Sequence, residues 1–299
     1  FQAETFATFL YFGDLTAYKK DLEEQLSILE NEYDYNSVLD NIITIQAASG
    51  QYDLAKKQLD FLGKNIDGDR ALMHLAVKDA SKDRIENAVR VANKSLDRIS
   101  PRYPKFETLR QFFHLVELLG EKQKKTQAFQ LIAKCPKEEN QIIAKAFLAK
   151  GLGDKSLLKK AAEAASVLEK DRNYPLKEIG ILAARMDAID LAEWCVNQMD
   201  TISFNQNPIS VLTKMTKVTK DKHYLSLAID KIDQIPIRAI SGYADALIQI
   251  TLTAVELELD EEETIQLLNL INQLNPEYRI KFHLRLLKIP SQRYYMAYY

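Results

Sequence analysis

One apolar stripe, led by a small residue, recurs along the whole of this 299-residue chain. Its clearest copy follows the turn Gly50-Gln51-Tyr52-Asp53, where Ala55 is succeeded by Leu59 and Leu62. Spacings of four and then three residues put those side chains on one helix face. The stripe returns as Ala128, Ile132, Cys135; as Ala161, Ala165, Leu168; as Ala192, Val196, Met199; and as Ala228, Ile232, Ile235. Weaker copies are Leu22, Leu26, Leu29; Ala88, Ala92, Ser95; and Thr264, Leu268, Ile271. From 22 to 264 the leading residues stand 33, 33, 40, 33, 31, 36 and 36 positions apart, a mean close to 35. Three-position matches come cheaply in a chain that is 46% apolar, but six of the eight leading residues are Ala, a type that fills about a tenth of the sequence. A small residue there has a physical purpose, since it lets two helices approach closely.

Upstream of each stripe lies a second helical pattern. Segments 38–49, 70–81, 108–119, 140–152, 175–186, 209–220 and 244–256 carry apolar residues at three- and four-residue spacing and read as the first helices of successive helix-turn-helix units. Asp67-Gly68-Asp69, Pro101 to Pro104, Cys135-Pro136, Tyr174-Pro175, Asn207-Pro208, Ile235-Pro236 and Asn275-Pro276 fall between units, as residues unsuited to helix interiors should. Gly50, Gly120, Gly153-Asp154, Asp187, Asp221 and Asp260 mark the turns within units. The expected fold is therefore all-α, with units near 1–31, 36–64, 69–99, 106–135, 139–171, 175–202, 208–235 and 243–274, a C-terminal capping helix at 277–288 and an aromatic tail at 291–299. The Pro101 to Pro104 loop absorbs the 40-residue interval and is the expected joint.

These units resemble the tetratricopeptide family, whose repeats of about 34 residues pair two helices. Gly50 to Ala55 is similar to that family's turn and second-helix opening, with Leu59 in the place of its aromatic residue; Asp187 to Ala192 is a second copy, and Gly180 stands where the family has its first-helix Gly. No first helix carries the family's Trp, and other α-helical solenoids of similar period stay open as alternatives. The resemblance implies a right-handed α-solenoid of about seven to eight repeats, each hairpin burying its stripe against its neighbours. It also implies a ligand groove along the first helices.

Composition narrows the functional classes. Forty basic against 42 acidic residues, a formal charge of −2, do not favour nucleic acid as the partner. Cys135 and Cys195 are too few for a disulfide framework, so packing must hold the fold. No run of about 18 uncharged apolar residues is present, so no membrane span is expected. The sequence opens at Phe1 without an initiator Met; the cytoplasm is the favoured compartment, with a removed targeting segment left open. Oligomeric state is not fixed by these features.

No catalytic or cofactor pattern stands out. His74, His114, His223 and His283 lack metal-ligand spacing, and both cysteines read as buried, inert thiols. Gly151-Leu152-Gly153 lacks the third Gly and preceding strand of a phosphate loop and reads as a turn. Asp260-Glu261-Glu262-Glu263 reads as a helix cap. The expectation is no metal, no cofactor and no enzyme.

What remains is the groove. Counting back from each stripe, Arg110, Phe113, Lys150, Lys177, Arg185, Lys217 and Lys220 fall on its inner face, making a positive strip about four units long with Glu117 as the main opposing charge. Such a strip favours an acidic peptide segment or a chain-terminal carboxylate. The leading expectation is a non-catalytic protein-interaction scaffold or adaptor. A nucleic-acid-binding helical repeat, and an all-α enzyme with a site assembled from distant repeats, are the alternatives.

Overall fold

The computed structural model describes residues 32–62, 68–100, 104–199, 207–232, 235, 240–258 and 261–286. The expected unit 1–31, Pro101, the Asp260 turn and the tail 291–299 lie outside the described residues. Among the described residues every regular element is a helix, so the protein is all-α. In chain order the helices are α1 (Glu32–Ala48), α2 (Tyr52–Leu62), α3 (Asp69–Ser81), α4 (Ile85–Leu96), α5 (Phe106–Glu121), α6 (Lys125–Lys134), α7 (Glu138–Leu152), α8 (Lys155–Ser166), α9 (Asn173–Arg185), α10 (Ile189–Gln198), α11 (Asn207–Thr219), α12 (Lys222–Ile232), α13 (Ile240–Glu256), α14 (Glu261–Asn272) and α15 (Pro276–Leu286). They fall into two compact units, Phe1–Leu152 with α1–α7 and Gly153–Tyr299 with α8–α15.

In the first unit the odd-numbered, leading helices α1, α3, α5 and α7 pack each on the next, while the returning helices α2, α4 and α6 pack against them. In the second unit α9, α11, α13 and α15 pack each on the next, α10, α12 and α14 each touch the two flanking members of that series, and α8 lies against α9 and α10. The stripes read from the sequence are the reason. Ala55, Leu59, Ala88, Ala92, Ala128, Ile132, Ala161, Ala165, Ala192, Val196, Ala228, Ile232, Leu268 and Ile271 are all buried. The small leading residues let each returning helix sit close to its partner, and the larger ones fill the space beyond.

The turns show why dissimilar residues can occupy equivalent places. Gly50, Asp83, Gln123, Gly153, Asp187, Lys220 and Glu258, each just beyond a leading helix, all have a left-handed φ, between 49° and 93°. After α3, Asp83 N–H donates to Ala80 O at 3.1 Å and Arg84 N–H to Asp79 O at 2.9 Å. Gln123 and Lys124 repeat this pair of bonds after α5, as do Asp187 and Ala188 after α9. Both bonds satisfy carbonyls that the helix end would otherwise orphan, so the turn forms even where no glycine is available.

Two glycines expected in turns do something else. Gly120 lies inside α5 and Gly151 inside α7, where the two backbones meet. A Cβ on Gly151 would stand 2.1 Å from Glu117 O, and one on Gly120 would be 2.9 Å from Leu148 O. The turn itself is made by Gln123 in one case and Gly153 in the other. In the second unit Gly180 lets α9 approach both Val211 of α11 and Cys195 of α10, which would stand 3.0 Å and 3.3 Å from an added Cβ.

Candidate functional site

The leading helices bring their polar side chains together along the line where each meets the next. In the first unit, buried Asp40 of α1 accepts from Gly68 N–H at 2.9 Å and from Arg70 Nη2 of α3 at 2.6 Å. Lys105, just ahead of α5, reaches both Asp40 (3.3 Å) and buried Asp69 (3.1 Å), and Asp69 also accepts from Thr108 Oγ1 of α5 at 2.6 Å. Two carboxylates that are 3% and 2% exposed are thereby compensated by two cations, Arg70 and Lys105, and two neutral donors, Gly68 N–H and Thr108 Oγ1, while Asn41 Oδ1 accepts from Arg70 Nη2. Without such partners the burial of either charge would be costly.

Further along, His74 of α3 faces Glu107 of α5 at 3.5 Å. Burial lowers the pKa of His74; Glu107 opposes the shift and the guanidiniums of Arg110 and Arg70 reinforce it, so the imidazole is neutral at pH 7. Phe113 of α5 stacks on Phe147 of α7, centroids 5.4 Å apart, and Glu117 pairs with Lys150 one helix on. Arg110 and His114 are exposed on the same turn-to-turn line of α5.

In the second unit Lys177 of α9 pairs with Glu178 at 2.9 Å and lies 4.7 Å from the centroid of the Tyr174 ring. The Tyr174 hydroxyl is pushed up to about 12, by burial first and by the Glu178 charge second. Between α11 and α13, Ser210 Oγ donates to Gln249 Oε1 at 3.1 Å, Gln249 Nε2 donates to Thr213 Oγ1 at 2.8 Å, and Lys217 pairs with Glu256. Lys281 of α15 pairs with Asp245 of α13.

Each residue expected on the inner face can now be placed. Arg110 is exposed on α5, and Arg185 is exposed in the last turn of α9. Lys150, Lys177 and Lys217 are half-buried and ion-paired. Phe113 is 5% exposed and belongs to the core. Lys220 is an exposed turn residue just beyond α11. The first unit brings Arg110, Phe113 and Lys150 into one region, since α5 packs on α7.

The expected positive strip needs correcting. Glu107, Glu178 and Glu256 join Glu117 as opposing charges, so the basic residues alternate with acids rather than standing clear. Side chains on packed leading helices meet one another before they meet solvent, and opposite charges there pair across the seam. Glu107, Phe147 and the Asp245–Lys281 pair were missed. Their signal was the repeat itself: bonded partners stand 33, 39 and 36 residues apart in the pairs Glu117–Lys150, Lys217–Glu256 and Asp245–Lys281.

Both thiols are buried, which pushes Cys135 and Cys195 up to about 12 and keeps them protonated. Among the described residues no three His, Cys, Asp or Glu side chains gather as a metal would require, and no helix is long and apolar enough to cross a membrane. Compared with family models, curated proteins and solved structures, the chain matches none.

Proposed function

We propose that the chain is a non-catalytic scaffold of the tetratricopeptide-like kind, its hairpins forming a right-handed α-solenoid of about seven to eight repeats that holds an acidic protein segment along the leading helices. The observation that carries this reading is the series of side-by-side leading helices in each unit, whose solvent side keeps Arg110 and Arg185 exposed while Lys150, Lys177 and Lys217 are engaged with acids. An exposed guanidinium offers a planar, bidentate seat to a carboxylate, and the half-buried Phe147, which stacks on Phe113 one turn along α5 from Arg110, offers apolar surface. Lys217 and Lys150 contribute less, because a ligand carboxylate must first displace Glu256 or Glu117.

The test is fluorescence anisotropy with a labelled peptide rich in Asp and Glu, set against its Asn and Gln counterpart. Preferential binding of the acidic peptide, weakened about tenfold by Arg110→Glu or Arg185→Glu and by far less in Lys217→Gln, is expected from loss of one charge-assisted contact. Equal affinity for both peptides, or indifference to both arginine reversals, contradicts the proposal.

A further inference from the structure

Along the seams between leading helices, acids meet permanent cations. Asp40 and Asp69 share Lys105, Glu117 meets Lys150, Asp245 meets Lys281 and Glu256 meets Lys217. Glu107 of α5 differs. Among the described residues no Lys or Arg pairs with it: Gln111 Nε2 donates to it at 3.2 Å and, across the seam, His74 Nε2 of α3 stands 3.5 Å away. At this seam position, then, charge compensation depends on a proton. A gap of 3.5 Å is long for a hydrogen bond, and an imidazolium would close it into a charge-assisted one.

The other charges around His74 set the direction of the effect. Arg110 lies one turn beyond Glu107 on α5 and Arg70 one turn before His74 on α3, and both guanidiniums act on the imidazole. Asp40 of α1 is taken up by Arg70 and Lys105, and Lys78, one turn after His74, lies 4.1 Å from the centroid of the Tyr52 ring of α2. Glu86, Arg90 and Lys94 of α4 are exposed, as is His114, one turn beyond Arg110. While the imidazole is neutral, the Glu107 carboxylate, its side chain 39% exposed, stands uncompensated beside the Arg110 guanidinium and repels an acidic ligand seated there.

We propose that His74 and Glu107 make binding at Arg110 proton-linked: an acidic segment docking there draws a proton onto His74, whose imidazolium cancels Glu107, so the segment is held more tightly as the solution turns acidic. Given Arg110 as a carboxylate seat, the reading on which this rests, the linkage is reciprocal: a ligand that favours the protonated imidazole is favoured by protons in turn. Burial keeps the proton affinity of His74 below that of a free imidazole, so the gain opens below pH 6.5. Carboxylates of the ligand stay ionised down to about pH 5, which leaves a window between the two values.

The experiment is fluorescence anisotropy of the labelled Asp- and Glu-rich peptide with the full chain at pH 7.5 and 5.5, at constant ionic strength. Binding about fivefold tighter at pH 5.5 is expected, with the gain lost in His74→Gln and kept in His114→Gln. Glu107→Gln should bind more tightly than the parent at pH 7.5 and change little on acidification, because the acid that favours His74 protonation is gone. Equal affinity at the two pH values, or a gain that persists in His74→Gln or vanishes in His114→Gln, overturns the proposal and leaves acidic-peptide binding itself intact. Failure to bind at either pH removes the Arg110 seat as well. Glu107→Gln keeps the test decisive should His74→Gln disturb the seam between α3 and α5, with far-UV circular dichroism checking helix content in each variant.

Discussion

Glycine-to-alanine exchange at two helical sites should give stability changes of opposite sign. In an open helix position the exchange stabilises by up to about 1 kcal/mol, because Ala loses less backbone entropy. Gly242, near the start of α13, has nothing within 4 Å of an added Cβ and should show this gain in full or in part. At Gly151 the same Cβ would stand 2.1 Å from Glu117 O, 3.0 Å from Glu117 C and 3.0 Å from Glu121 N, all backbone atoms of α5 that no rotamer change can move. Ordinary contact begins near 3.4 Å, so α7 must retreat from α5 by about 1.3 Å. Overpacking of this kind costs about 3 kcal/mol when backbone must shift. The retreat also loosens the Phe113–Phe147 stack, worth about 1 kcal/mol. Set against the propensity gain, Gly151→Ala should destabilise by roughly 3 kcal/mol. Urea denaturation followed by circular dichroism reads both variants. A Gly151→Ala protein as stable as the parent would refute the close approach of α5 and α7.

Other consequences are open to measurement. Gln123→Gly should stabilise by about 1 kcal/mol, since Gln123 holds a left-handed φ of 58° that costs a side chain and not a glycine; a loss of stability in urea would contradict the turn geometry. Lys105→Met should destabilise by about 2 kcal/mol, because Asp40 and Asp69 lose a shared cation while staying buried; Asp69→Asn combined with it should recover part of the loss in a double-mutant cycle. His74 binds its proton less readily when folded than when unfolded, so its contribution is constant above pH 6.5 and turns unfavourable as pH falls below that value. Stability measured at pH 7.5 and 5.5 should therefore drop less in His74→Gln than in the parent.

The returning-helix stripes could be read directly from the sequence because their information is local: a small residue and two apolar ones, spaced by a helical turn, carry the same meaning whatever they pack against. Gly50, Gly153 and Asp187 were legible for a similar reason, since their residue types tolerate left-handed φ. Gln123, Lys220 and Glu258 advertise nothing, and only the backbone bonds around such positions show that a turn forms there. Asp221, expected as the turn itself, instead accepts a hydrogen bond from His223 N–H at the start of α12. Gly120 and Gly151 were misplaced because a glycine that permits close approach looks, in sequence, like one that permits a turn. The charged face was the hardest part. Whether Lys150 faces a ligand or Glu117 depends on the lateral register of α5 against α7, which one-dimensional spacing leaves open until a repeat-long offset is known.

That lateral register is the claim on which the folding and binding accounts both depend, and a charge swap at Glu117 and Lys150 measures it. Glu117→Lys and Lys150→Glu should each destabilise by about 1 to 2 kcal/mol, since each puts like charges together at a site no more than about one-third exposed. The double variant, which restores opposite charges in reversed order, should recover most of that loss. Single-variant losses that simply add in the double variant would mean that the two side chains do not meet, and that α5 and α7 are not neighbours in the register described.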